Sequence, residues 1–428
     1  MRLELVLALA SLAAASPYGK PGKPGKPGHG KPCKPGHGKP GSCPPTQKVD
    51  TIQLGPRPYF LIDDMDEGPL KDKLESCKAI KDFKSTPWSI GHRGGGTLMM
   101  PEHSLESNMA GARMGAGVLE CDVAFTSDRE LVCRHSQCDL HFTTNILSIP
   151  ELAAKCTQPF KPAADGKPAS AKCCTSDITL EEFKSLCARM EGSNTAATKP
   201  EDFAKNVTPW RSELYATCGT VLSHKEHIEL VKSLGLKFVP ELKTPEVPMP
   251  FEGDYTQEMY AQQLVDEYIE AGVNPSDVTL QSFLYDDILY WLKKAPKFNS
   301  IFLDSTGETP ETMPEAIALL DQRAKDGLKL LAPPIQYLVA DNNGTIVASE
   351  YAKKAKELGF GIVAWSAERS GPISAASTYY YSTVKDIMNN DGDYFNLFHV
   401  LAQEVGIIGL FSDWSAPVTY YANCFGLF

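Results

Sequence analysis

Several features are missing from this chain of 428 residues, and each absence narrows what it can be. No apolar run beyond residues 1–16 is long enough to cross a bilayer, so no transmembrane segment is expected. The C-terminus lacks the polar spacer and apolar tail of a lipid-anchor signal. Basic residues are not in excess. The 42 Lys and Arg stand against 53 Asp and Glu, a net charge of −11, which argues against nucleic acid as a partner. None of the 12 cysteines forms a C-x-x-C pair, so neither a zinc site nor a dithiol redox motif is expected.

What is present begins with a secretory signal. Residues 1–16 carry Arg2, an apolar stretch from Leu5 to Ala15 and small residues at Ala13, Ala14 and Ala15. The mature chain is expected to start near Ser16 or Pro17. Residues 17–50 form a Lys/Pro/Gly-rich disordered segment of K-P-G repeats with His29, His37, Cys33 and Cys43. It reads as a passive linker or, through its lysines, as a means of cell-wall association. Residues 51–428 are left for one large folded domain.

Cysteines behind a signal peptide point to disulfides and to a secreted, extracellular or cell-wall location. Cys156, Cys173, Cys174, Cys187 and Cys218 crowd residues 150–220, which read as a stapled insertion. Asn206-Val207-Thr208 and Asn343-Gly344-Thr345 are glycosylation acceptors, expected in surface loops.

The chemistry concentrates between Ser89 and Thr144. A short apolar run ends at His92 and Arg93, followed by Gly94, Gly95 and Gly96. Glycines let a ligand approach the backbone, and the Arg93 guanidinium suits phosphate oxygens. Ser104 is a candidate N-cap for a helix on which Leu105, Met109, Ala112 and Ala116 repeat, with Gly115 and Gly117 ending it. Val118–Phe125 reads as a strand. Side chains alternate along a strand, so Glu120 and Asp122 share one face, with Leu119, Cys121 and Val123 on the other. Two carboxylates on one apolar strand suit a hard divalent cation, Ca²⁺ or Mg²⁺. Leu131–His135 reads as a further short strand ending on a histidine. His92 and His135 flank the carboxylates as candidate acid and base; His103 and His141 are possible orienting groups.

These residues resemble the glycerophosphodiester phosphodiesterase family. The motifs are H-R-G at His92, P-E-H-S at Pro101, G-x-x-E-x-D ending at Asp122 and a strand ending in His135. Farther on come P-E-L-K at Pro240–Lys243 and Q-S-F at Gln281–Phe283. The run C-R-H-S-Q-C-D-L-H is most similar to the secreted fungal-type branch. Ser136 stands where the family commonly has Asp, and Asp139 is the carboxylate able to replace it.

Eight strand candidates alternate with helical runs: 88–91, 118–125, 237–242, 278–283, 300–303, 328–332, 361–365 and 407–411. The clearest helix covers Tyr255 to Gly272, with Ala261, Leu264, Val265 and Tyr268 on one stripe. The expected fold is α/β, a (β/α)₈ TIM barrel with a disulfide-rich insertion and a low-complexity N-terminal segment. Such barrels carry working groups at the carboxyl ends of strands, where His92, Glu120, Asp122, Glu241, Lys243, Gln281, Asp304, Trp365 and Asp413 fall.

The expected protein is a secreted, metal-dependent phosphodiesterase of lipid metabolism. It would cleave a small-molecule phosphodiester, a glycerophosphodiester, to glycerol 3-phosphate and an alcohol. Glu120, Asp122 and Glu241 would hold one divalent cation. Arg93, Lys243, Gln281 and Trp365 would bind the substrate, and His92 and His135 would transfer protons. Two alternatives differ in kind. A phospholipase D-type enzyme would need an exposed apolar rim, for which Tyr379–Tyr381, Phe395, Leu397 and Phe398 are candidates. A non-catalytic surface protein on a retained barrel would not need the full acid, base and metal set.

Overall fold

Eight runs of alternating or wholly apolar residues become parallel strands: β1 (Thr86–Gly91), β2 (Ala116–Phe125), β3 (Lys237–Leu242), β4 (Thr279–Ser282), β5 (Asn299–Leu303), β6 (Leu330–Ala332), β7 (Gly361–Ala367) and β8 (Gly409–Ser412). Each pairs with the next, and β8 returns to β1 through Ile90 opposite Phe411, so the sheet closes. The computed structural model describes residues 49–215, 218–374 and 378–428. Residues 1–16, read above as a signal peptide, the K-P-G repeats, Cys33 and Cys43 lie outside the described residues.

The alternation read from β2 holds. Leu119, Cys121 and Val123 pack outward into the large core between strands and helices. Val118 points inward with Ile90, Val239, Ile301, Leu303, Ala332, Val363 and Phe411, which fill the barrel interior. Burying these chains is the main driving force for closure.

Helix ends follow local chemistry. The Ser104 hydroxyl accepts a hydrogen bond from the Ser107 amide and caps the helix Leu105–Arg113. That helix is shorter than its apolar repeat implies. The chain turns at Gly115 (φ +92°), and Ala116 opens β2 instead of extending the helix. The helix Gln257–Glu270 starts two residues after Tyr255 because the Thr256 side chain caps it. It buries Ala261, Leu264, Val265 and Tyr268, and Gly272 (φ +65°) lies beyond its end.

The insertion is wider than the cysteine crowding implies. Its separate core draws on Val132, Leu140, Ile146 and Leu147 as well as Cys156, Cys173, Phe183 and Phe203. The strand Leu131–Cys133 runs antiparallel to the end of β2, so it is not a barrel strand. Four disulfides hold this region: Cys121–Cys133, Cys138–Cys174, Cys156–Cys173 and Cys187–Cys218. Asn206 and Asn343 are both exposed.

A fifth disulfide, Cys77–Cys424, links residues 347 apart and ties the helix ending at Ser76 to the C-terminal helix Ser415–Phe425. Cross-links closing long loops restrict the unfolded chain most. Replacing both cysteines by Ser should therefore lower stability by about 2–5 kcal/mol. Thermal unfolding would read this as a lower melting temperature. Activity at low temperature should be retained, since neither residue approaches the barrel mouth. An unchanged melting temperature would show that the bridge is dispensable.

Candidate active site

The carboxyl ends of β1, β2 and β3 converge on a cavity of about 80 Å³. His92, Arg93, Glu120, Asp122, His135, Glu241, Lys243 and Trp365 line it, together with Phe283, Leu303, Tyr380 and Phe411. Eight of the nine residues expected at the site thus meet in one place; Gln281 is the exception.

The turn after β1 is tightly built. Arg93 has a left-handed backbone (φ +51°), uncommon for a side chain this large. The conformation aims its amide at Glu120 Oε2, 2.7 Å away. Gly95 (φ +85°) must lack a side chain, because a Cβ there would lie 2.4 Å from Ser415 Oγ. The Arg93 guanidinium donates to Glu102 Oε2 at 2.8 Å, and its Nε lies 3.8 Å from Asp122 Oδ2. Glu102, the acid of P-E-H-S, is 3 % exposed and was legible as a motif residue without an assigned partner.

Strand register brings the three carboxylates together. Asp122 on β2 stands opposite Glu241 on β3, and Glu120 lies two residues earlier on the same face. One oxygen from each of Glu120, Asp122 and Glu241 lies within 4.8 Å of the others, and all three residues are buried. Burial, then the neighbouring charges of Asp122 and Glu241, push the Glu120 carboxyl well above the usual range. Burial also pushes Glu241 up to about 8, against the pull of Lys243, whose ammonium is 2.6 Å away. At Asp122 burial is overridden by His103 and Lys243, which hold it well below the usual range. Asp122 Oδ1 accepts no hydrogen bond among the described residues. Hard-oxygen donors crowded this closely fit a divalent cation, whose charge would remove their mutual repulsion.

His103 is an orienting group. Its Nε2 lies 2.9 Å from Asp122 Oδ2, and the ring is fully buried. Gln281 does the same for Glu120. Its side-chain amide donates to Glu120 Oε1 at 2.8 Å, which turns it away from the cavity. His141 belongs to the insertion instead. Its Nδ1 accepts from the Cys173 amide at 3.2 Å, and its ring packs on Phe142.

The two histidines have different surroundings. His92 Nδ1 is hydrogen-bonded to Asp413 Oδ1, just beyond β8, while Nε2 lies 3.9 Å from Glu120 Oε2. Burial lowers the His92 pKa to about 4 despite the attraction of Asp413. Burial would raise the Asp413 carboxyl, but Arg369, His92 and Arg211 hold it well below its usual range. His135 is lowered by burial and then by Arg93 and Lys243. Glu102, His135 and Asp139 have ligand atoms within 4.8 Å of one another. Asp139 also accepts from the Ser136 amide at 3.2 Å, and burial pushes its carboxyl up to about 7. Asp139 thus stands beside His135, where Ser136 offers no carboxylate.

The Trp365 indole donates to the Ala332 carbonyl at 2.7 Å, and its ring meets Phe283 and Tyr380 edge-on. It presents an apolar wall and no free donor. Asp304, another acid at a strand end, is tied to Arg323 and Tyr351, away from the cavity.

A family model described as "Glycerophosphoryl diester phosphodiesterase family" matches residues 92–413. A curated relative from Arthroderma benhamiae named "Extracellular protein" is 46 % identical over 245 residues, which is 56 % of this chain and 100 % of the relative. A crystal structure of a Silicibacter pomeroyi protein assigned to the glycerophosphoryl diester phosphodiesterases superposes with a TM-score of 0.53 at 17 % identity. The match covers 83 % of this chain and 98 % of that one, a likeness of fold.

Proposed function

The chain belongs to the glycerophosphoryl diester phosphodiesterase family, and from that premise we propose a secreted, cation-dependent enzyme that hydrolyses soluble glycerophosphodiesters to glycerol 3-phosphate and an alcohol. The observation that carries this reading is the cavity itself, where three carboxylates, two fixed cations and two neutral imidazoles converge. Secretion is supported by the five disulfides among the described residues and by the extracellular relative. A cell-wall role for the K-P-G segment rests on its lysines alone.

Glu120, Asp122 and Glu241 would hold one Ca²⁺ or Mg²⁺. When bound, that ion supplies Lewis-acid polarisation of a phosphoryl oxygen and offsets developing charge. Arg93 and Lys243 bind the remaining phosphate oxygens, with Arg93 held in place by Glu102. Gln281 acts one step back by fixing the Glu120 rotamer. Trp365 packs against the substrate carbon skeleton. Asp413 keeps the His92 proton on Nδ1, which leaves the Nε2 lone pair free to take a proton from the attacking hydroxyl. Asp139, whose carboxyl burial pushes up to about 7, holds the proton that His135 beside it passes to the leaving alkoxide.

Most of the residues that would form an apolar rim for the lipid-directed alternative are core. Phe395, Leu397 and Phe398 are fully buried, Tyr381 is 1 % exposed, and only Tyr379 reaches the surface substantially, at 45 %. Those side chains are core because the helix Asp393–Val400 packs against the helices of the barrel wall. Glycerophosphocholine should therefore be hydrolysed in preference to phosphatidylcholine vesicles, and chelator should abolish the reaction. Faster release from vesicles would favour the phospholipase reading, and no release from either would favour a non-catalytic protein.

A further inference from the structure

Arg211 lies on the part of the insertion closed by the Cys187–Cys218 disulfide, yet it reaches the barrel's proposed base. Its side chain is 5 % exposed. Nη2 donates to Asp413 Oδ2 at 2.9 Å, and Nη1 donates to Glu191 Oε2 at 2.9 Å. Glu191, on the same disulfide-closed segment, also accepts from Arg369 Nη2 at 2.8 Å, and Arg369 Nη1 donates to Asp413 Oδ2 at 3.2 Å. Two guanidiniums and two carboxylates thus alternate in a closed ring. Arg369 and Asp413 come from the barrel loops, and Arg211 and Glu191 come from the insertion.

The ring holds one end of Asp413 while His92 occupies the other. Oδ2 receives both guanidiniums, and Oδ1 meets His92 Nδ1. Rotation of the carboxylate would break the hydrogen bond that sets the His92 tautomer. The neighbouring residue reinforces the placement. Trp210 packs so closely on Gly371, two residues past Arg369, that a Cβ on Gly371 would lie 2.5 Å from the indole ring. Arg211 does not line the cavity bounded by the carboxylates, so it is not placed to grip the phosphate. It borders a separate cavity with Phe142, Glu191 and Trp210.

We propose that Arg211 is a positioning residue for His92, acting through Asp413, and that the loop closed by Cys187–Cys218 presents it. The proposal rests on the assignment of His92 as the base. A surface ion pair would contribute little. A buried one is different, because removing one partner leaves the other charge under-compensated and free to reorient.

The test is a double-mutant cycle on the secreted, disulfide-intact protein with glycerophosphocholine as substrate. Arg211→Ala should lower kcat about 10–100-fold, the scale of a catalytic group displaced by roughly 1 Å. KM should stay nearly constant. Millimolar guanidinium should restore part of the loss in Arg211→Ala and none in His92→Ala. In the His92→Ala background, Arg211→Ala should add almost nothing, since residues acting as a unit are not additive. Arg211→Lys, which keeps the charge without the planar fork, should fall between wild type and Arg211→Ala. The proposal is overturned if Arg211→Ala keeps full kcat, raises KM alone, or lowers the rate by the same factor in both backgrounds. If His92→Ala itself turns over normally, the base assignment falls and this proposal with it. If His92→Ala is impaired while Arg211→Ala is not, only the positioning role falls.

Discussion

Glu120→Gln should lower turnover by at least about 10²-fold, since loss of an outer-sphere partner alone is worth 10–100-fold. Glu120 is more than such a partner, because its oxygens join those of Asp122 and Glu241 in one buried cluster. Gln keeps the shape and can still accept the Arg93 amide now bonded to Oε2. It removes the carboxylate charge available to a cation from a site where burial, and then the charges of Asp122 and Glu241, push Glu120 upward. The variant should fold as well as the wild type or better, because a neutral side chain costs less to bury and is not repelled by Asp122 and Glu241. Calorimetric titration with Ca²⁺ and Mg²⁺ should show weakened binding, and activity on glycerophosphocholine should be lost. A Glu120→Gln enzyme that hydrolyses the diester normally in excess chelator would rule out the cation site.

The histidines should separate by leaving group. A positioned acid or base is typically worth about 10²–10⁴ in rate, and His92→Ala and His135→Ala should each lose something of that order. Cation binding should change little, since neither imidazole belongs to the carboxylate cluster. His92 has Asp413 to fix its tautomer, which suits a base. His135 has Asp139 near it, a carboxyl pushed up to about 7 by burial and so able to hold a proton at neutral pH. A nitrophenyl phosphodiester expels nitrophenolate, which leaves without protonation, so this substrate should rescue His135→Ala and leave His92→Ala impaired. Rescue of His92→Ala instead would exchange the two roles. Near-normal turnover of His135→Ala on both substrates would make that histidine structural, and the acid would then be sought at Asp139.

The parts of this site that were legible early obey short-range rules. Alternation along one strand places Glu120 and Asp122 on a single face, and it does the same for Glu241 and Lys243. Eight apolar runs of strand length, separated by helical ones, specify a parallel barrel, and a parallel barrel gathers its working groups at one end. Ser104 caps its helix and Gly272 follows another for reasons contained within a few residues. Where local signals competed, the outcome shifted. The repeat through Ala116 implied a longer helix than forms, because the turn at Gly115 and pairing with β1 claim that residue for a strand.

The sequence by itself made the barrel legible, marked the carboxylates of β2 and β3 and the two histidines as candidates, and through its cysteines pointed to an oxidising compartment, because strand period, family-like motifs and cysteine content are all readable locally. Only the tertiary structure decided who holds whom. It turned Gln281 from the substrate toward Glu120, gave His103 to Asp122, and placed Asp139 beside His135. It also joined Asp413 to His92 across 321 residues, and Arg211 to Asp413 across 202. No period links positions so far apart. Their contact depends on closure of the sheet, which sets the ends of β1 and β8 side by side, and on the disulfide-closed segment of the insertion that carries Arg211 to Asp413.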